Sequence, residues 1–235
     1  MKIMDEKVFT FWEGDMPGYI RLCLDTWKVP YTVLNYNNVR DYTDVDIECL
    51  KRFSLSLAAD IVRVHVLRDH GGYWMDTDTI MIKGELPDAD LAGDLERRTH
   101  SIALLHSKPH SKMFDKWAEY QDRMIAANGL KNGKHPWYLM GNGFTDPYVK
   151  HHQDVRLCPI ERYWPETYMV PGDESRFAKY NRFYFEQSCS LEDIRPTELL
   201  MLHNSWTPAW YKSLTEEQVL QTSCTLSNIL RELTA

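Results

Sequence analysis

The pattern of apolar and polar positions changes period several times along the first part of the chain. Residues 8–12, Val-Phe-Thr-Phe-Trp, form a short apolar run and predict a first strand. Residues 19–27 carry Ile20, Leu24 and Trp27 at helical spacing and predict a helix. Residues 31–34 are β-branched and aromatic after Pro30, which predicts a second strand. Residues 55–70 read as a longer helix closed by Gly71-Gly72. Strand-like pieces follow at residues 73–75 and 79–82, on either side of Asp76-Thr77-Asp78. Strands alternating with helices predict an α/β fold, with a central, mostly parallel sheet flanked by helices on both faces.

The rest of the chain is less regular. Residues 102–105 predict another strand, and residues 111–127 a helix with Phe114, Trp117, Met124 and Ile125 facing the core. Residues 128–143 are rich in Gly and Asn and predict a loop, in which Lys131, Lys134 and His135 could close over a bound diphosphate. Thr215 with Gln218 makes a capping box that opens a last helix running to about residue 233. Trp206 and Trp210, at helical spacing, read as core residues, although aromatic faces also suit sugar rings and bases. Residues 155–202, rich in Pro, Tyr and Arg, give no clear pattern. With no repeat and no Ser/Gly linker, residues 1–235 are expected to form a single domain.

Composition narrows the choice of partner. Apolar residues make up 43% and charged residues 26%, ordinary for a globular protein, and the net charge is −7. No Lys/Arg run exceeds two residues. A nucleic acid polymer is therefore not expected, because neutralising many phosphates needs a basic face. A small phosphorylated ligand stays open, since a bound cation can bring the positive charge. The five cysteines, Cys23, Cys49, Cys158, Cys189 and Cys224, show no zinc-site spacing and are expected to be reduced thiols. No stretch approaches the ~18 consecutive apolar residues of a membrane span. Residues 1–14 read as a charged lead-in and a strand, not a signal peptide, so the expected place is the cytoplasm, with work at a membrane face left open.

The candidate chemistry centres on residues 70–78, His-Gly-Gly-Tyr-Trp-Met-Asp-Thr-Asp. Two carboxylates two residues apart point to one side of an extended backbone. They stand where a short apolar strand ends, and open α/β sheets bind ligands outside the carboxyl ends of strands. Two carboxylates near one point repel unless a cation lies between them. Hard divalent ions such as Mg²⁺ or Mn²⁺ take oxygen ligands and share them with substrate phosphates. The helix before the motif is apolar almost all round, from Leu57 to Leu67, and should be buried. It nonetheless carries Asp60 and Arg63, three apart and on one face. A buried ion pair rarely adds net stability, so this one suggests a ligand-facing role.

These residues resemble a known family. Ala59-Asp60-Ile61-Val62-Arg63, then Leu67, then Gly71 to Asp78, is similar to the DXD region of family 32 glycosyltransferases and the related capsular polysaccharide synthesis proteins. Phe11-Trp12-Glu13-Gly14 with Pro17 resembles their first strand and turn, Met140-Gly141-Asn142-Gly143 a later turn, and His203-Asn204-Ser205-Trp206 a closing element. The resemblance implies a GT-A, Rossmann-like nucleotide-sugar-binding fold, with residues 1–106 as the donor-binding part and residues 107–235 as the acceptor side and closing segment. It implies a nucleotide-sugar donor, usually a UDP-sugar, with Mn²⁺ or Mg²⁺, and transfer to a hydroxyl of a glycan or glycolipid acceptor. Asp78 and His203 would ligate the metal, and Asp76 the metal or the ribose. Asp60 and Arg63 would hold the donor sugar, Phe11 and Trp12 would lie along the base, Asn142 near the transferred sugar, and Ser205 and Trp206 at the β-phosphate. It leans towards retention of anomeric configuration. Two other readings compete: a haloacid-dehalogenase-like phosphatase, from Asp76-Thr77-Asp78-Thr79-Ile80 after an apolar strand, and a nucleotide-sugar-binding subunit without catalysis.

Overall fold

The structure, a computed structural model, describes residues 7–94, 99–128, 136, 138–159, 174–194 and 198–235. In chain order the strands are β1 Val8–Phe11, β2 Tyr31–Leu34, β3 Gly72–Met75, β4 Thr79–Met81, β5 Leu91–Asp94, β6 Thr99–Ser107, β7 Leu157–Pro159 and β8 Leu199–Met201. The α-helices used below are α1 Gly18–Asp25, α2 Ile47–Leu50, α3 Leu55–His70, α4 Lys112–Asn128, α5 Asn142–His151, α6 Arg176–Asn181, α7 Ala209–Lys212, α8 Glu216–Gln221 and α9 Thr225–Thr234. The chain divides into two compact units, each discontinuous in sequence. The first holds Met1–Glu13, Pro30–Asp76 and Pro87–Cys158; the second holds Gly14–Val29, Thr77–Leu86 and Pro159–Ala235.

In the first unit, β1 is buried at all four positions, which is why so short an apolar run makes a central strand. The sheet order is β2-β1-β3-β6-β5-β7. β1 runs parallel to both β2 and β3, pairing Val8 with Tyr31 and with Tyr73. This is the parallel, strand-helix-strand half expected from the sequence. The other half differs: β6 is antiparallel to β3 and to β5, so the sheet is mixed.

α3 spans the residues its pattern predicts and is buried continuously from Asp60 to Leu67. Each fully buried Val, Ile or Leu there contributes roughly 1.5–3 kcal/mol of apolar burial. The helix ends because Gly71 and Gly72 take φ +64 and +87, which side chains rarely adopt. The same glycines allow close approach. A Cβ on Gly71 would meet Pro109 N and Ser107 O at 2.8 Å, and one on Gly72 would land on the Lys7 carbonyl. That carbonyl accepts the Tyr73 N–H at 2.8 Å and starts β3 in register beside β1. The helix therefore feeds β3 without slack.

In the second unit, α1 packs with β4, and β4 pairs antiparallel with β8. Trp27 Nε1 donates to Thr79 O at 2.8 Å, and Met81 N to Thr26 Oγ1 at 2.9 Å. Thr215 and Gln218 form the predicted capping box. The helix it opens is not continuous: α8 stops at Gln221 and α9 starts at Thr225. Thr222 and Cys224 are extended between them. Arg231 of α9 turns back, donating to Leu220 O at 2.7 Å and Thr222 O at 3.0 Å, and so satisfies carbonyls that a helix end leaves open.

Two further expectations are corrected. The Gly/Asn-rich segment does not stay a loop to residue 143, because α5 begins at Asn142. Trp210 is half exposed rather than core. Lys131, Lys134 and His135 of the expected closing loop lie outside the described residues.

Candidate functional site

Where β3 ends, three charged side chains meet in the first unit. Arg63 Nη2 lies 3.1 Å from Asp60 Oδ1 and 3.1 Å from Asp76 Oδ1. Nη1 donates to Ile102 O at 2.5 Å, and Nε to Ala59 O at 3.4 Å. The guanidinium also lies over the Trp74 ring, 5.0 Å from its centroid. Arg63 and Asp60 are buried while Asp76 is part-exposed, so the cluster opens to solvent on the Asp76 side. Trp74 Nε1 donates to Asp76 Oδ1 at 2.8 Å, and Asp76 N bonds Ala103 O at 2.9 Å, adding a rung beyond the end of the strand ladder.

Two carboxylates on one guanidinium leave a net negative charge. Burial pushes the Asp60 carboxyl up to about 7; Arg63 opposes this and Asp76 adds to it. Asp60 is thus poised between a hydrogen-bond donor and an acceptor near neutral pH. A turn reaches it from α5. A Cβ on Gly141 would stand 3.1 Å from Asp60 Oδ2 and would press on the Cδ1 tip of Ile102, so the backbone passes Asp60 here with little room to spare.

The motif's second aspartate belongs to the second unit. Thr77 and Asp78 form a turn, so the backbone is not extended through the motif. Asp78 is buried. Its carbonyl accepts Leu202 N at 3.0 Å, and its Oδ2 accepts Asn204 N at 2.7 Å. These two bonds bracket His203. Asn204 Oδ1 in turn accepts the Tyr19 hydroxyl at 2.5 Å. Two neighbours of Asp78 are made weaker acids: burial first, then the Asp78 charge, pushes the pKa of the Tyr19 phenol and of the Cys23 thiol upward.

His203 is half-buried, its ring 4.0 Å from that of Trp206 and edge-on to Tyr180. Burial, and then Arg176, pushes it down to about 4. The imidazole is therefore neutral at physiological pH, the form that binds metals. Ser205 is exposed and Trp206 half-buried.

The other predicted residues fall as follows. Phe11 is buried with its ring edge-on to Tyr36 at 5.6 Å, and Trp12 is half-buried, its backbone N–H donating to Leu34 O at 2.9 Å. Asn142 opens α5 next to Gly141, and its Nδ2 lies 3.4 Å from Asp146 Oδ1 on its own helix. The structure thus brings Asp60, Arg63 and Asp76 together in the first unit, and Asp78 with the His203–Trp206 segment in the second. Sequence reasoning missed Trp74, which orients Asp76, although its place two residues before the acid was a usable signal. It also missed Gln121, for which a lone glutamine in a helix gives none.

Does the donor set fit a divalent cation? Among the described residues no three His, Cys, Asp or Glu side chains converge as a ready-made metal site. Trp74 Nε1 and Arg63 Nη2 both meet the Asp76 carboxylate at Oδ1. Mg²⁺-type ions are commonly held by one or two carboxylates plus substrate phosphates rather than by an all-protein cage. The part-exposed carboxylate of Asp76 has the chemistry to join a cation that arrives with a phosphorylated ligand, and it lacks the further side chains that a structural metal needs. A groove of about 290 Å³ lies on a different face of α3, lined by Asp44, Asp46, His65, Arg68, Asp122 and Ile125 among others. It includes none of the clustered acids, and the buried, mutually committed charges mark the candidate site more specifically than its volume does.

Residues 1–151 match the family described as capsular polysaccharide synthesis protein, and all of the Asp60–Asp76 cluster falls within that match. No curated protein matches the chain. Several solved structures are similar at a distance. The PaToxG glycosyltransferase is 16% identical, over 63% of this chain and 70% of that one, with a TM-score of 0.43. The galactosyltransferase LgtC, solved with donor and acceptor sugar analogs, is 10% identical over 97% and 95%, with a TM-score of 0.44. The glycosyltransferase GlyE of Streptococcus pneumoniae TIGR4 is 11% identical over 92% and 62%, with a TM-score of 0.43. The family match covers well over half of the sequence, and the chain belongs to the capsular polysaccharide synthesis protein family.

Proposed function

We propose that this protein is a metal-dependent glycosyltransferase of the GT-A type that moves a sugar from a nucleotide-sugar, a UDP-sugar, to a hydroxyl of a glycan or glycolipid acceptor in polysaccharide synthesis. The observation that carries the reading is the buried Asp60–Arg63–Asp76 cluster at the end of β3, open to solvent at Asp76. Holding the Asp60–Arg63 pair in the core costs several kcal/mol of desolvation per ion, which a purely structural role does not need. In this reading Asp60 accepts hydrogen bonds from donor-sugar hydroxyls. Arg63 fixes both carboxylates and sets the charge facing the diphosphate, and Asn142 stands beside the transferred sugar. Phe11 and Trp12 flank the base, and Ser205 and Trp206 meet the β-phosphate.

Asp76, Asp78 and neutral His203 supply ligands for Mn²⁺ or Mg²⁺. The cation, when bound, offsets the charge that develops on the leaving nucleoside diphosphate. The acceptor hydroxyl oxygen bonds to the anomeric carbon as the bond from that carbon to the phosphate oxygen breaks, the nucleoside diphosphate leaves with that bond's electron pair, and the hydroxyl proton is released to solvent. The residues of the chain contribute by orienting the donor and keeping its sugar end out of water.

The test is a thermal-shift panel of UDP-sugars with and without Mn²⁺, since a ligand bound only by the folded state raises Tm. UDP-sugars are expected to stabilise the protein only with metal, and Asp78→Ala to abolish the effect. Metal-independent stabilisation, or an unchanged effect in Asp78→Ala, would overturn the assignment. Turnover of a simple phosphate monoester without release of UDP would favour phosphatase chemistry instead.

A further inference from the structure

We infer that Gln121 is a positioning residue that clamps the Gly141–Asn142 turn against Asp60 and so sets the geometry in which the donor sugar is met. The inference rests on the reading of Asp60 as the sugar-binding carboxylate.

Gln121 lies in α4 and is fully buried. Its Nε2 donates to two carbonyls, Asp60 O at 2.8 Å and Met140 O at 2.7 Å. These partners fix the orientation of the amide. Only the nitrogen carries hydrogens, and a flipped amide would set Oε1 against two acceptors. In the orientation that remains, Oε1 is buried with no hydrogen-bond partner. An orphaned buried acceptor costs about 1–3 kcal/mol.

That cost is not needed to satisfy either carbonyl. Asp60 O lies inside α3, where the backbone N–H four residues on is its helical partner. Met140 O already accepts Trp117 Nε1 at 2.9 Å. What Gln121 adds is a fixed distance between the backbone that carries Asp60 and the backbone that precedes Gly141. Other side chains of α4 assist. Trp117 stands one helical turn away on the same face, and the Tyr120 hydroxyl donates to Leu139 O at 3.2 Å. The clamp matters because clearance at its far side is small. A methyl group on Gly141 would sit 3.1 Å from Asp60 Oδ2, so a shift of the turn by a few tenths of an ångström changes which oxygen a sugar hydroxyl can reach.

The experiment compares the wild type with Gln121→Met, which keeps the length and removes both donors. Binding of UDP, UDP-glucose and UDP-galactose is measured in Mn²⁺ by calorimetry, alongside hydrogen exchange of the unliganded proteins. Gln121→Asn, one methylene short of both carbonyls, replaces the Met variant if that one does not fold. The expected result is a split. Affinity for the UDP-sugar that the wild type prefers over UDP falls about tenfold, the worth of a hydrogen bond or two, while affinity for UDP alone changes less than about twofold. Amides of residues 141–145 exchange faster, and those of β1 and β3 do not. Equal losses for UDP and UDP-sugar, or no loss for either, would overturn the positioning role. If the wild type itself gains nothing from the sugar, the proposed function fails. The clamp is then judged by exchange alone: unchanged protection of residues 141–145 refutes it, and selective deprotection of that turn supports it.

Discussion

Replacing Arg63 by Met tests whether the site is held by a shared guanidinium or merely contains one. Arg63 stands 3.1 Å from each of two carboxylates, and Asp60 is buried. Removing one partner of a buried pair costs about 3–5 kcal/mol, because the other charge is left without compensation. The pH dependence makes the reading specific. In the wild type, Asp60 is raised from 3.8 to about 7. The folded state then holds a proton that the unfolded chain has released. The contribution of this group is complete below about pH 4, is lost as pH rises to about 7, and is flat above that. The total is on the order of 4 kcal/mol, from roughly three units at 1.36 kcal/mol each. In Arg63→Met the interaction that pulls the carboxyl down is gone, so its value rises further. Stability should keep falling above pH 7, by about 1.4 kcal/mol per pH unit. Urea unfolding between about pH 5 and 9 reads this directly, and adding Asp60→Asn to Arg63→Met should flatten the profile. Parallel profiles for wild type and Arg63→Met above pH 7 would refute the reasoning.

Two further outcomes are expected beyond those tied to Asp78 and Gln121. Gly18→Ala should lower Tm and cost about 1–3 kcal/mol or more, because its methyl group would meet Glu216 N at 2.6 Å, Thr215 C at 2.8 Å and Leu214 O at 2.9 Å, all unyielding backbone; a Tm within error of the wild type would show that the α1–α8 contact is looser than drawn. His65 is buried, its Nε2 makes no hydrogen bond, and burial, with Arg68 adding to it, pushes it down to about 4. Its contribution is complete above about pH 6.5 and lost as pH falls towards 4, so the wild type should lose about 2 kcal/mol between pH 7 and 5 that His65→Leu does not, and identical acid profiles in urea unfolding would exclude this.

The parts legible from sequence share one property: their signal is local. α3 reads correctly because a helix apolar on all sides and closed by two glycines admits few alternatives, and its Asp60–Arg63 pair follows from spacing alone. The Thr215–Gln218 capping box is likewise a four-residue device. What escaped depends on distant partners. The antiparallel half of the sheet is set by which edge β6 joins, and the break between α8 and α9 is stabilised by Arg231 reaching back to Leu220 and Thr222. Gln121 looks like any solvated glutamine until Asp60 and Met140 are placed on either side of it. The start of α5 hides in glycine and asparagine, which favour turns, and its place is held by α4 rather than by its own propensity. Trp210 has core-like spacing to Trp206, yet α7 lasts only one turn, too short for that spacing to define a face.

The cysteines carry a practical consequence. None of the five is in a disulfide; Cys23, Cys49, Cys158 and Cys224 are buried, and Cys189 is partly accessible. A thiol must reach solvent to react, so a maleimide dye added to the native protein should attach at a single place. Cys189 N is anchored to Thr225 Oγ1 at 3.0 Å, which holds the attachment point beside α9. The unaltered sequence thus offers one built-in labelling position for fluorescence work on the second unit.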